Sequence, residues 1–171
     1  MADLVTHIAT ALIVKAVTRA PHTGVLVLGV VLPDLAARGP TVVFSRLSLW
    51  GASLPDWMVH GFGVLHMPLG FLALTLLVSL AFVPEDRGRA WGQLLAGCAL
   101  HLGVDLLQFH VGVGYPLLYP FSTWHYELGW MGTEDSVTVA PWLFAASAAA
   151  WWWRRPQKGT AAVASGSAEG S

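Results

Sequence analysis

The segment WGQLLAGCALHLGVDLLQF, residues 91–109, has the apolar character of a helix buried in a bilayer, yet it contains a histidine and an aspartate. At a rise of about 1.5 Å per residue, it extends over nearly the whole hydrocarbon core, which is about 30 Å thick. His101 and Asp105 are four residues apart, so a helix presents both from one face. Both are costly to bury in hydrocarbon unless they are paired, coordinated to an ion or facing a wet cavity. The segment therefore predicts either a hydrogen bond that packs helices or part of a metal site.

The composition of the whole chain indicates a membrane protein. Charged residues make up 11% of the 171 residues and hydrophobic residues 55%, whereas a soluble domain usually has about 25% charged residues. The net charge is −1, so the chain lacks the basic surface of a nucleic-acid-binding protein. The single cysteine, Cys98, excludes an internal disulfide and a thiolate metal site. We assign residues 1–153 to one membrane-embedded domain and residues 154–171 to a basic stop and a disordered tail.

The pattern of apolar runs predicts an all-α, multi-pass membrane bundle of about five helices. The predicted helices cover residues 4–18, 25–32, 64–83, 91–109 and 137–153. The first two are short, so they form a hairpin that spans incompletely or re-enters the membrane. Residues 38–59 contain Gly and Pro and predict an interfacial amphipathic segment. The helix over residues 64–83 has no Lys, Arg, Asp or Glu and is the strongest predicted span.

Positive charges predict how this bundle is oriented. Seven of the nine Lys and Arg fall on one side of a five-helix serpentine, namely Lys15, Arg19, Arg87, Arg89, Arg154, Arg155 and Lys158. Cytoplasmic loops carry the excess of Lys and Arg, so this side is predicted to be cytoplasmic and the N-terminus to lie outside. On the outer side, the same serpentine brings His7, Asp34, His66, His101 and Asp105 to a similar depth.

These five side chains are the candidate metal ligands. Three imidazoles and two carboxylates are a suitable donor set for zinc, manganese or iron. Each also has an ordinary interpretation: His7 as a polar side chain facing the headgroups, Asp34 as a turn or cap residue, and His66 as an interfacial histidine. Asp105 has a further alternative, in which it holds His101 in one tautomer and does not itself bind the ion.

Four other residues are weaker candidates. His60 precedes the third predicted helix and either replaces or joins His66 as a ligand. His110, His125 and Glu127 belong to the long loop that follows residue 109 or to its approach. They are candidates to complete the ligand shell or to serve as a general base. The alternative for each of the three is a solvated loop residue.

The order of these motifs resembles a known family. The motifs are Thr6-His7, Leu32-Pro33-Asp34, Leu65-His66-Met67-Pro68-Leu69, His101-xxx-Asp105 and Leu118-Tyr119-Pro120-Phe121-Ser122. Together they resemble the membrane-bound metal-dependent hydrolases, also described as LexA-binding, inner-membrane-associated hydrolases, which have distant similarity to zinc-dependent phospholipase C. The resemblance covers about residues 1–140. It implies a helical inner-membrane protein with a metal centre that hydrolyses an ester or a phosphoester.

The chain departs from the family's pattern at two motifs. Met67 follows His66 where the family often has serine, and Leu35 follows Asp34 where it often has another acid or a histidine. The second carboxylate beside Asp34 is therefore missing. This departure favours one or two ions over a larger cluster.

The function predicted from these features is hydrolysis. A divalent ion lowers the pKa of its water toward about 7 and polarises the scissile ester, while an unligated carboxylate or histidine takes the proton. Neither a Gly-x-Ser-x-Gly elbow nor a P-loop occurs in the sequence. We therefore predict a membrane-embedded hydrolase that uses zinc or manganese and acts on an ester or phosphoester, such as a lipid entering from the bilayer. The alternative is a non-catalytic membrane protein whose buried His and Asp residues bind metal or pack helices for scaffolding. A transporter is less favoured, because the polar residues cluster toward one face.

Overall fold

The computed structural model of the chain describes residues 4–18, 23–47, 55–109 and 114–153. In this part of the chain the secondary structure is helical, apart from two isolated β-bridges. The elements are α1 (Leu4–Thr18), α2 (Thr23–Leu47), α3 (Asp56–Val64), α4 (Pro68–Ser79), a 3₁₀ turn (Pro84–Asp86), α5 (Arg87–Leu106) and α6 (Thr133–Trp153). The all-α prediction is confirmed, with six α-helices in these ranges where about five were predicted. The basic stop and tail predicted over residues 154–171 lie outside the described residues.

Helix α2 is much longer than the helix predicted over residues 25–32. Pro33 lies inside it, and the helix continues through Pro40 to Leu47. Pro33 has no N–H, so the carbonyl of Gly29 loses the donor that a regular helix would supply. The thiol of Cys98 on α5 donates to that carbonyl over 3.2 Å. The neighbouring helix thus replaces the lost hydrogen bond.

One prediction about this region is therefore wrong, because the helix does not end at Pro33-Asp34. Residues 38–47 continue α2 as regular helix, and the interfacial position predicted for residues 38–59 stays a prediction. Within the described residues, one helix, Thr23–Phe44, is long and apolar enough to cross a membrane. Of the two helices predicted to be short, only α1 is short, with 15 residues, whereas α2 has 25.

The unbroken helix predicted over residues 64–83 is also wrong. Helix α3 ends at Val64, a tight turn follows, and α4 begins at Pro68. Because a residue before proline avoids helical angles, Met67 is extended, with φ −104° and ψ 159°. A Cβ at Gly70 would lie 2.3 Å from the carbonyl oxygen of Val64, so only glycine lets α4 pack against this turn. The turn carries His66 and presents it to the interior.

Helices α2 and α5 pack with their backbones in close contact. A Cβ at Gly29 would lie 2.4 Å from the carbonyl oxygen of Leu94, and one at Gly97 would lie 2.5 Å from that of Leu26. Small residues at a helix interface permit this approach. The contact brings the last turns of α5, which carry His101 and Asp105, against the middle of α2.

The helices bury hydroxyl, imidazole and carboxyl groups and expose apolar side chains. On α4, Thr75 and Ser79 are buried while Leu72, Leu76 and Leu77 are exposed. Among the described residues, the buried polar and charged side chains are Thr6, His7, Asp34, His66, Thr75, Ser79, His101, Asp105, Gln108 and Ser147. Exposed leucines are ordinary in a folded protein, whereas buried charged groups are informative, because they are usually paired or coordinated to a metal.

Candidate metal centre

The five side chains predicted as metal ligands converge at one place. His7 comes from α1, Asp34 from α2, His66 from the turn before α4, and His101 and Asp105 from α5; all five are buried. Their ligand atoms form two overlapping groups, in each of which all three atoms lie within 4.8 Å of one another. The first group is His7, His101 and Asp105, and the second is Asp34, His66 and His101.

Asp105 lies at the centre of this cluster. Its Oδ2 is 2.9 Å from Nε2 of His66 and 3.3 Å from Nε2 of His101, and its Oδ1 is 3.3 Å from Nε2 of His7. The Nε2 atoms of His66 and His101 are 3.2 Å apart. A tetrahedral ion with ligand bonds of about 2.0–2.1 Å spaces its ligand atoms about 3.3 Å apart. The interatomic distances of the cluster are close to that spacing.

His66 lies between the two carboxylates. Its Nε2 faces Asp105, whereas its Nδ1 is 3.9 Å from Oδ1 of Asp34. The ring of His101 stands edge-on to that of His66, with centroids 4.8 Å apart, and stacks on that of His7, with centroids 3.8 Å apart. The three imidazoles are therefore packed directly against one another.

A carbonyl of α2 fixes the tautomer of His101. Nδ1 of His101 lies 2.7 Å from the carbonyl oxygen of Val30, which has no proton to give. Nδ1 is therefore the protonated nitrogen and donates this hydrogen bond, which leaves the lone pair of Nε2 facing the cluster. Metal-ligating histidines are usually oriented in this way. The residue that holds His101 in one tautomer is therefore Val30 and not Asp105.

Several buried atoms of the cluster are unsatisfied. Both ring nitrogens of His7, Nδ1 of His66 and Oδ1 of Asp34 have no hydrogen-bond partner within the described part of the chain. Leaving a buried polar group unpaired costs about 1–3 kcal/mol, and most native proteins avoid it. A cation coordinated by Nε2 of His7, which faces Asp105, and by Oδ1 of Asp34 would remove that cost for these two atoms. Nitrogen and oxygen donors without thiolate suit zinc, manganese or iron, so the residues present fit a divalent ion.

Tyr115 belongs to the cluster, although the sequence did not indicate it. Its hydroxyl donates to Oδ2 of Asp105 over 2.6 Å and lies 3.3 Å from Nε2 of His66. Two backbone hydrogen bonds of 3.0 Å with Tyr126 hold it in place. Burial and the nearby Asp105 carboxylate raise the pKa of Tyr115 well above its usual range, so the hydroxyl keeps its proton. Position 115 lies in an aromatic-rich loop, where no spacing pattern relates it to the helices.

Arg38 lies beside the cluster and was missed for a different reason. It follows Asp34 by one helical turn, and its Nε is 3.7 Å from Oδ1 of Asp34. Its side chain is 48% exposed, in contrast to the buried ligand candidates. Because the sequence interpretation ended the helix at Asp34, the shared face of the two residues was not recognised.

Two of the weaker candidates, His125 and Glu127, are not part of the cluster. His125 is exposed and Glu127 is partly exposed, and neither contributes to the two groups of ligand atoms found among the described residues. His110 lies outside the described residues, as does the side chain of His60, whose backbone belongs to α3. The structure therefore adds no support for a general base among these residues.

Comparison with known proteins identifies the family. Residues 1–167 match the YdjM inner membrane protein family. The matched range includes all five cluster residues and agrees with the inner-membrane part of the resemblance carried by the motifs. No curated protein and no solved structure shows a significant match. The chain belongs to the YdjM inner membrane protein family.

Proposed function

We propose that this protein is a membrane-embedded, metal-dependent hydrolase of phosphoesters. The proposed ligands of the ion are His7, Asp34, His66, His101 and Asp105. The observation that carries the proposal is that His7, His66 and His101 converge on Asp105, with Asp34 beside His66. Nε2 of His7 and Oδ1 of Asp34 are buried and unsatisfied. A cluster that only packed helices would be expected to pair its buried polar atoms with one another. The same chemistry favours zinc or manganese as the ion.

The proposed membrane placement is a multi-pass bundle with the N-terminus outside and the C-terminus in the cytoplasm. Membership of an inner membrane family and the exposed apolar faces of the helices support it. On α1, His7 and Lys15 lie at opposite ends of the helix, and on α5 the cations Arg87 and Arg89 lie at the end away from Asp105. The cluster is therefore on the side opposite Lys15, Arg87 and Arg89, although Arg38 lies beside it. By the positive-inside rule, we take the side with the excess of cations as cytoplasmic and the cluster side as the outer side.

The chemistry is divided between the ion and the chain. A divalent ion supplies Lewis acidity and lowers the pKa of water. Val30 holds His101 so that Nε2 faces the ion site, and Tyr115 holds Asp105 through a hydrogen bond in which the tyrosine keeps its proton. Burial of the cluster keeps bulk water away from these groups, which strengthens their electrostatic interactions.

Arg38 favours a phosphoester over a carboxylic ester as substrate. Its guanidinium is partly exposed and lies within 3.7 Å of Asp34, so it is adjacent to both the cluster and the exterior. A planar guanidinium forms two parallel hydrogen bonds with phosphoryl oxygens, a geometry that a neutral carboxylic ester does not match. A lipid phosphodiester entering at the outer interface combines this headgroup chemistry with access from the bilayer.

The test combines metal content with hydrolysis. The wild-type protein is purified in mild detergent without chelator, beside Asp105→Asn and the matched control Glu85→Gln, an exposed acid in the 3₁₀ turn before α5. We expect a stoichiometric transition metal and metal-dependent hydrolysis of a phosphodiester in the wild type and in Glu85→Gln, and neither in Asp105→Asn. Metal binding without hydrolysis of phosphodiesters, phosphomonoesters or phospholipids would instead establish the non-catalytic alternative.

A further inference from the structure

A cavity lies between the C-terminal ends of α1 and α6, and these ends are remote from the metal cluster. Its volume is about 500 Å³, and its wall includes Leu12, Lys15, Ala16, Thr23, Ser147 and Trp151. Lys15 follows His7 by two helical turns, which is about 12 Å along α1. None of the lining residues belongs to the cluster, so the cavity is a separate site.

The wall of this cavity is amphipathic along the helix axes. Lys15 and Trp151 lie toward the C-terminal ends of α1 and α6, and Thr23 is the first residue of α2. One turn farther from those ends, the wall consists of Leu12, Ser147 and the small side chain of Ala148. A cation and a hydroxyl therefore lie at the rim, and a mainly apolar channel between two helices extends inward from them.

The cavity opens at the surface of the helix bundle. Trp151 is 59% exposed and Ala148 is exposed, although both line the cavity. In the proposed orientation this opening faces lipid at the cytoplasmic interface, where tryptophan and basic residues concentrate. Further cations follow in the sequence, with Arg19 directly after α1 and Arg154-Arg155 directly after α6.

We propose that this cavity binds one anionic phospholipid. The phosphate lies at Lys15 and Thr23, and the upper part of an acyl chain runs past Leu12 and Ala148. Basic pockets between helices on the cytoplasmic side are suited to anionic headgroups, and the volume is that of a small-molecule pocket, about 300–1,000 Å³. The inference uses the proposed membrane placement but neither the metal nor hydrolysis.

The experiment measures lipid binding to delipidated full-length protein by native mass spectrometry. Phosphatidylglycerol and phosphatidylcholine with identical acyl chains are compared on wild type, Lys15→Gln and Ala148→Phe. Matched controls are Arg89→Gln, an exposed cation at the start of α5, and Ala149→Phe, the next residue of α6, which is exposed and does not line the cavity.

We expect one phosphatidylglycerol on the wild type, bound about 10-fold or more tightly than phosphatidylcholine. Phosphatidylglycerol has a net negative charge that attracts Lys15, whereas the choline ammonium of phosphatidylcholine cancels the phosphate charge and repels a nearby lysine. Lys15→Gln should abolish the preference, Ala148→Phe should abolish binding of both lipids, and the controls should match wild type. Equal binding of the two lipids by wild type, or unchanged phosphatidylglycerol binding in Lys15→Gln, would overturn the proposal. So would competition by glycerol 3-phosphate, which has no acyl chain.

Metal content, measured on the same preparations, separates this site from the proposed metal centre. Lys15→Gln should retain the metal content of wild type. A variant that loses lipid and keeps metal supports two independent sites. Loss of metal in Lys15→Gln would contradict the separation of the cavity from the cluster.

Discussion

The hydroxyl of Tyr115 donates a hydrogen bond to Oδ2 of Asp105 over 2.6 Å, and the same carboxylate oxygen is 2.9 Å from Nε2 of His66. This hydrogen bond connects the loop after α5 to the metal cluster, whose other residues lie on the helices and the turn before α4. The loop is anchored separately, because the N–H groups of Leu128 and Trp130 donate to the carbonyls of Leu106 and Leu107. This loop is therefore part of the site and not only a connection between α5 and α6.

Replacing Tyr115 by phenylalanine should weaken metal binding without unfolding the protein. The ring remains to fill its buried position, but Asp105 loses a hydrogen bond that orients it. Loss of such support typically lowers metal affinity by about 10–100-fold. Competition with a chelator of known affinity measures the change, and Tyr126→Phe is the matched control, since that tyrosine pairs with Tyr115 through its backbone. Equal affinities for the two variants would show that the hydroxyl does not support the ligand.

Two glycines of α5 should respond in opposite directions to alanine. At Gly97 a Cβ would lie 2.5 Å from the backbone oxygen of Leu26, which cannot move aside as a side chain would, whereas nothing lies within 4 Å of a Cβ at Gly103. Gly97→Ala should therefore destabilise the protein by about 1–3 kcal/mol. Gly103→Ala should leave stability unchanged or raise it by about 0.5–1 kcal/mol, because glycine is unfavourable within a helix. Thermal unfolding in detergent compares them, and equal melting temperatures would contradict close packing of α2 and α5.

The ligand candidates could be predicted from the sequence because the information is local or depends only on helix order. The spacing of His101 and Asp105 defines one helix face, and a serpentine of helices brings the other candidates to a similar depth. Helix boundaries were less predictable. Pro33 was expected to end a helix, but Cys98, which is 65 positions away in sequence, satisfies the carbonyl that the proline leaves unpaired. Tyr115 depends likewise on how a long loop folds back on α5, which no periodicity describes.

The hydrogen bond from the Cys98 thiol to the Gly29 carbonyl should stabilise the fold only while Pro33 is present. In wild type, Cys98→Ala leaves the Gly29 carbonyl without its donor, which is expected to cost about 1 kcal/mol. Pro33→Ala restores an N–H at the position that normally donates to that carbonyl. Cys98→Ala should therefore cost less in the Pro33→Ala background, and a double-mutant cycle of unfolding free energies measures the coupling. Cys98→Ser, which keeps a hydrogen-bond donor, is the control. If the free-energy changes of Cys98→Ala and Pro33→Ala simply add, the thiol does not compensate for the proline inside α2.

Arg38 should determine preference for phosphoesters if the proposed hydrolase activity is correct. Arg38→Lys keeps the charge but loses the two-pronged geometry, so we expect KM for a phosphodiester to rise about 10-fold while metal content is unchanged. Arg89→Gln, a change in an exposed cation at the start of α5 and remote from the cluster, should have no effect on KM. The variant's activity toward a neutral carboxylic ester provides a second comparison. An equal loss on both substrates would indicate that Arg38 acts by positioning Asp34 and does not recognise phosphate.

His101 limits the number of ions, because it belongs to both groups of ligand atoms. Its Nδ1 donates to Val30, so only Nε2 is left to coordinate, and one nitrogen lone pair serves one ion. The two groups are therefore alternative parts of one ligand shell, and we expect one transition metal ion per chain. His101→Ala should lose it completely, whereas Asp34→Asn, a change in a residue of only one of the two groups, should lower affinity and retain an ion held by His7, His101 and Asp105. Elemental analysis of both variants beside wild type checks the stoichiometry. Two ions per wild-type chain would mean that a second ion is held without His101, and the shared-ligand argument would then be wrong.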